Sequence, residues 1–163
     1  MDRVRTIPEP GFAGDVGAAD ARLTAALEKY DAAPDSRVLW TAAVAVLQDT
    51  RLLVPIVAAE QPVSVEKSTD MAAVLMQSRS GRTALLSFTG LASLRTWDPA
   101  ARPVPVSAAD AAKAALQNGA TGLVVDVAGP VLFAVEDDDL RSLALGHRLV
   151  ELAAGRWGWV AAG

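Results

Sequence analysis

Apolar residues along this chain recur first at helical and then at strand spacing, and the change of period divides it into elements. From Ala18, Leu23, Ala26, Leu27 and Tyr30 lie three and four apart in alanine-rich surroundings, which predicts a helix to about Asp31. Pro34 ends it. Asp35 or Ser36 is placed to cap a second helix, whose apolar stripe is Leu39, Ala43, Val46 and Leu47. Residues 51–57 form a short run rich in β-branched side chains, which predicts a buried strand. Pro55 places that strand at a sheet edge or on a bulge, because proline donates no ladder bond. A polar linker over 60–69 leads to two apolar runs, 71–77 and 83–88, separated by Arg79-Ser80-Gly81; this spacing predicts a hairpin.

In the second half, Thr89 precedes Leu91, Leu94 and Trp97 as the expected cap of a short helix that Asp98-Pro99 ends. Val104-Pro105-Val106 reads as extended. Ser107 with Asp110 makes an acidic capping box, and Gly119 stands where a helix terminator is needed. Leu123-Val124-Val125 then gives a strand, reached by a right-handed crossover if it lies parallel in the same sheet. The turn at 126–130 leads into a partner strand at 131–135. Glu136-Asp137-Asp138-Asp139 opens a final helix with Leu140, Leu143, Leu145, Leu149 and Leu152 as its apolar contacts, kinked or divided at Gly146.

The predicted fold is α/β of the α+β kind: helices packed on a mixed sheet of about five to six strands, with antiparallel hairpins and one right-handed βαβ crossover. Residues 1–17, with Pro8, Pro10, Gly11, Gly14 and Gly17, read as an irregular leader. Residues 18–155 read as one domain and 156–163 as an aromatic tail. A chain of 163 residues, 52% of them hydrophobic, suffices for one well-buried core.

Composition removes several classes of function. With no cysteine there is no disulfide, thiol nucleophile or cysteine-held metal, and a cytoplasmic protein is expected. The apolar run at 52–59 is far short of the roughly 20 residues of a membrane span, and no signal-peptide core follows Met1, so no membrane partner is expected. A net charge of -4 argues against nucleic acid, whose binding needs clustered Lys and Arg.

No residue is read as catalytic, and no metal or cofactor is expected. His147 is the only histidine, so no imidazole dyad is possible, and it reads as a surface or capping residue. The acidic run at 136–139 lacks the alternating ligands and glycine of a calcium loop. Ser87, Ser93 and Ser107 lack a glycine-flanked elbow. Two features stand above this background. Arg95, Trp97 and Arg102 share one connection and suit a small anionic ligand. Arg156, Trp157 and Trp159 form a candidate interface, with both indoles on one side of an extended segment.

The stretch Ala84-Leu85-Leu86-Ser87-Phe88-Thr89, with Leu94-Arg95-Thr96-Trp97, Arg102-Pro103-Val104-Pro105-Val106, Gly122-Leu123-Val124-Val125-Asp126 and Ala128-Gly129-Pro130, resembles the SseB amino-terminal domain family over residues 37–146. Actinobacterial members are the most similar. The resemblance implies a fold, with no established reaction and no catalytic residue to carry over. Strong fold signal with little catalytic inventory predicts a non-enzymatic interaction or regulatory module with a protein partner or a second copy of itself, using a sheet edge or the aromatic tail. The alternatives are a sensor or enzyme for a small anionic metabolite, using Arg95 and Arg102 with a carboxylate such as Asp126, and a structural homodimer.

Overall fold

The computed structural model describes residue 12 and residues 14–58 and 71–161; the leader through residue 11 and the linker expected at 60–69 lie outside the described residues. Helix α1 (Ala21–Ala32) starts where the Asp20 carboxylate accepts from the amides of Arg22 and Leu23, at 2.8 and 3.2 Å. Helix α2 (Arg37–Leu47) is capped by Ser36, whose hydroxyl accepts from the Leu39 amide at 3.2 Å. Both caps satisfy first-turn amides that have no partner within the helix. Leu23 and Leu27 of α1 and Ala43, Val44 and Leu47 of α2 turn into the main core.

Strand β1 (Arg51–Ala58) is the middle of a three-stranded sheet, between β2 (Met71–Ala73) and β5 (Arg102–Ser107). The expected edge position for Pro55 is therefore corrected. Extending the register Ile56↔Ala73 by one residue sets Pro55 opposite Val74, whose carbonyl accepts from Leu86 at 3.0 Å. The missing N–H thus falls at a seam between sheets, where no ladder bond is lost. At that seam one run changes sheets: β2 pairs with β1, and its continuation β3 (Leu75–Gln77) pairs with β4 (Thr83–Ser87).

The second sheet has the order β3-β4-β6-β7, with β6 at Gly122–Val125 and β7 at Phe133–Glu136. Its parallel neighbours are β4 and β6, joined through α3 (Leu91–Trp97), β5 and α4 (Ala108–Gln117). The crossover expected from the strand at 104–106 to the one at 123–125 is therefore corrected: the parallel pair is β4 with β6. The segment 104–106 belongs to the other sheet, paired with β1. Leu53 and Phe88 exchange two backbone bonds of 2.8 Å and tie the two sheets together. Ala108, Ala111, Ala112 and Ala115 of α4 are all fully buried, and such small side chains let the helix approach the sheet closely. Helix α4 ends as expected, with Gly119 at φ 78° and the Ala120 amide bonded to the Ala115 carbonyl at 2.9 Å.

The final helix is shorter than the leucine spacing predicts. Helix α5 (Asp137–Ala144) stops at Gly146, φ 76°, where the His147 amide donates back to the Ser142 carbonyl at 3.0 Å. Its leucines beyond that point belong to a hairpin of β8 (Arg148–Ala153) and β9 (Arg156–Val160). A smaller second cluster of Leu53, Leu86, Phe88, Leu94 and Ala101 fills the space under α3.

Candidate functional site

The β8–β9 hairpin has two unlike faces. Leu149 pairs with Trp159 and Glu151 with Trp157, and Leu149 and both indoles pack against the main core. The Trp159 Nε1–H donates to Asp139 Oδ1 at 2.9 Å, which pins β9 to α5. Alternation turns the intervening residues outward. Val160 is 43% exposed and Leu152 64%. A bulge between Glu151 and Ala153 lets Leu152 lie over Gly158, where an added Cβ would stand 2.7 Å from its Cδ1. The outward face is thus Val150, Leu152 and Val160 around a glycine, with Arg148 opposite Val160 at its margin, paired to Asp49.

Three other strand edges are closed. Leu53 bonds Phe88 on the side away from β5, so residues paired with 53 and 55 on β5 turn their backbone outward. Those residues are Pro105 and Pro103, which have no N–H to offer a further strand. The outer side of β7 is met by α2, where the Trp40 Nε1–H donates to the Ala134 carbonyl at 3.1 Å. On β8, the Gln48 side chain accepts from the Leu149 amide at 2.8 Å and donates to its carbonyl at 2.9 Å, taking the place of a strand. Among the described residues, β9 pairs only with β8, and its other edge carries no backbone partner.

Asp126, at the end of β6, is 1% exposed and joins the ends of the two parallel strands. Its Oδ1 accepts from the Thr89 amide at 2.9 Å and its Oδ2 from the Thr89 hydroxyl at 2.7 Å. Burial pushes its carboxyl above the usual Asp range, and hydrogen bonds from Thr89 and Ser93 oppose the shift. Because the Thr89 hydroxyl is committed to Asp126, it does not cap α3. The cap position belongs to Gly90, without a side-chain bond.

The sequence-predicted residues lie apart. Trp97 is half-buried in the second cluster, its ring 5.5 Å from that of Phe88. Arg95 and Arg102 are exposed, at the end of α3 and the start of β5. Arg156 is exposed beside the hairpin turn, while Trp157 and Trp159 point inward. The acidic run is divided among separate partners: Asp137 to Arg82, Asp138 to Arg141, and Asp139 to Trp159 and Arg37. Among the described residues no group of acidic or imidazole side chains is arranged to hold a metal, and no helix is long and apolar enough to cross a membrane. The outward hairpin face was not legible from the sequence, because residues 148–152 continue the helical leucine spacing of α5.

No curated protein and no solved structure matches the chain. A family model does. The SseB protein N-terminal domain matches residues 23–142, from the first core leucine of α1 into α5. That match includes the Thr89–Asp126 junction and both sheets, and leaves the β8–β9 hairpin beyond it. On a match covering well over half its length, the chain belongs to the SseB family, by its N-terminal domain.

Proposed function

We propose that the protein is a non-enzymatic interaction module that presents the β8–β9 hairpin to an extended strand, supplied by a protein partner or by a second copy of this chain. The observation that carries this reading is the contrast between closed and open edges. Prolines, an indole and a glutamine block β5, β7 and β8, while among the described residues β9, longer than the three-residue edge strand β3, keeps a free edge beside an outward apolar face.

Three outward apolar side chains, Val150, Leu152 and Val160, are a small area against the ~800 Å² per partner of a standard interface. Main-chain bonding along β9 supplies what area alone does not, as in recognition by strand addition. Trp157 and Trp159 hold the hairpin in place, and Arg156 stands exposed at its turn, where a rim charge steers an approaching chain.

The test is sedimentation velocity of the purified protein over a wide concentration range, together with sizing of the protein in native cell extract. Self-pairing predicts a monomer–dimer shift with concentration, and a foreign partner predicts a larger species in extract alone. Leu152→Asp with Val160→Asp abolishes either species without unfolding the exposed face. A protein that is monomeric in both settings contradicts the proposal.

A further inference from the structure

A cleft of about 260 Å³ opens where α1 passes the ends of the parallel strands β4 and β6. Its walls are apolar: Ala18, Leu27, Ala92 and Val131, with Pro130. Its polar groups are few and convergent. Asp126, Thr89 and Ser93 come from the strand ends and α3, and Thr24 and Glu28 from α1. Open α/β sheets bind ligands at the carboxyl ends of parallel strands, where neighbouring connections diverge and leave a crevice. An apolar pocket with a handful of placed polar groups is the usual form of such a site.

The charge of the lining decides the class of ligand. Two acidic residues, Asp126 and Glu28, line the cleft, and among the described residues no Lys, Arg or His does. The guanidinium of Arg51 beside the cleft is committed to Asp15 and to the carbonyls of Ala18 and Thr89. Arg51 instead fixes the cleft's outer wall, which is further tied by the Leu91 amide donating to the Gly17 carbonyl at 2.8 Å. An anion entering here would meet the two acidic residues and no side-chain cation among the described residues; the donors open to it are the first-turn amides of α3.

Asp126 accepts one hydrogen bond from Thr89 on each oxygen, and a carboxylate has about four acceptor positions. Its backbone is held at φ 53°, an unusual conformation for a residue with a side chain, which aims the carboxyl back between the strand ends. The adjacent Ser93 hydroxyl lies 3.1 Å from the Gly90 carbonyl and also close to the Asp126 carboxyl, which it helps to keep ionised.

We infer that this cleft binds a small organic ammonium: a primary amine on a short apolar body, with no carboxylate of its own. The ammonium supplies three donors to a site rich in acceptors, and its charge offsets the burial of Asp126. The volume lies below the ~300–1,000 Å³ typical of drug-sized ligands, so the body is short. Neither the hairpin nor its partner takes part, so this inference stands or falls separately from the interaction reading.

The test uses the whole chain and three isosteric probes: isobutylamine, isobutanol and isobutyric acid, titrated while backbone amide resonances are followed by NMR. Isobutylamine is expected to shift Ala18, Ala92, Ser93 and Val131 saturably, isobutanol more weakly, and isobutyrate not at all. Asp126→Asn keeps one acceptor and one donor for Thr89 and is expected to fold, with amine affinity reduced roughly tenfold or more, as for a buried charge pair that loses one partner. Glu28→Gln at the exposed mouth weakens binding by about two- to fivefold. Ala92→Phe blocks the cleft from an exposed helix position and leaves the Thr89–Asp126 bonds in place. Isobutyrate binding as well as the amine, shifts confined to other surfaces, or no saturable response to the amine would overturn the inference.

Discussion

At the scale of the residue, Asp126 makes an unusual electrostatic prediction. Its folded pKa is raised above the unfolded value by burial, so folding takes up a proton in the window between the two. Its contribution to stability is full below the ordinary Asp pKa and is lost as pH rises through the raised one. Asp15 and Asp49 act in the opposite sense. Hydrogen bonds from Arg51 and Arg148 lower their pKa values, so their contribution is lost as pH falls. In Asp126→Asn the downward arm disappears. The melting temperature of the variant relative to the parent is expected to climb with pH through the raised pKa and then level off, as measured by thermal denaturation across an acidic-to-neutral series. A constant difference between the two proteins at every pH would place the charge of Asp126 outside the energetics of folding.

Asp126 was visible in the sequence only as an available carboxylate. Its partner Thr89 lies 37 positions earlier and reads locally as a helix cap. A side chain with one hydroxyl serves one role at a time, and local pattern cannot show which. Gly90 is a similar case. Its φ of -164° suits any residue, so its need for glycine is purely steric: an added Cβ would stand 2.8 Å from the Ala19 nitrogen and 2.9 Å from the Gly17 carbonyl oxygen. Gly90→Ala is therefore expected to push residues 17–19 off the start of α3 and to destabilise by about 1–3 kcal/mol. Chemical denaturation measures the loss, and faster exchange of the Leu91 amide, which donates to Gly17, locates it.

At the scale of the element, caps and terminators were the legible part. Ser36, Ser107 and Gly119 each act where their residue type and position predicted. The carboxyl-terminal leucines were not, because 145, 149 and 152 continue the helical spacing past Gly146, where the structure ends the helix and begins a strand. A two-stranded ribbon alone is marginal in water, so β8–β9 depends on what its inner face packs against. Trp159→Ala removes both the ring from the core and the bond to Asp139. It is expected to destabilise the hairpin by about 2–4 kcal/mol, a little under a fully buried tryptophan. Hydrogen exchange checks this: residues 148–160 lose protection while β4 and β6 keep theirs. Uniform loss across all strands would make the hairpin part of the central cooperative unit.

At the scale of the whole molecule, the two sheets follow from pairings that sequence distance conceals. Nothing local tells that one run divides at Val74 between β1 and β4, or that Pro103 and Pro105 fall on one outward edge. Their period of two is readable. Its meaning depends on which side β1 occupies. Once the edges are placed, β5, β7 and β8 are blunted, while among the described residues the short β3 and the longer β9 keep an open edge, and β9 lies beside an outward apolar face. That asymmetry is the central claim, and site-directed photo-crosslinking tests it most directly. A photo-reactive residue at position 152, on the outward hairpin face, is compared in intact cells with one at position 116, an exposed leucine position on α4. Binding through the hairpin predicts a discrete adduct of higher mass from position 152, lost when Val160→Asp is added, and none from position 116. Adducts of equal yield from both positions, or none from 152, would contradict it.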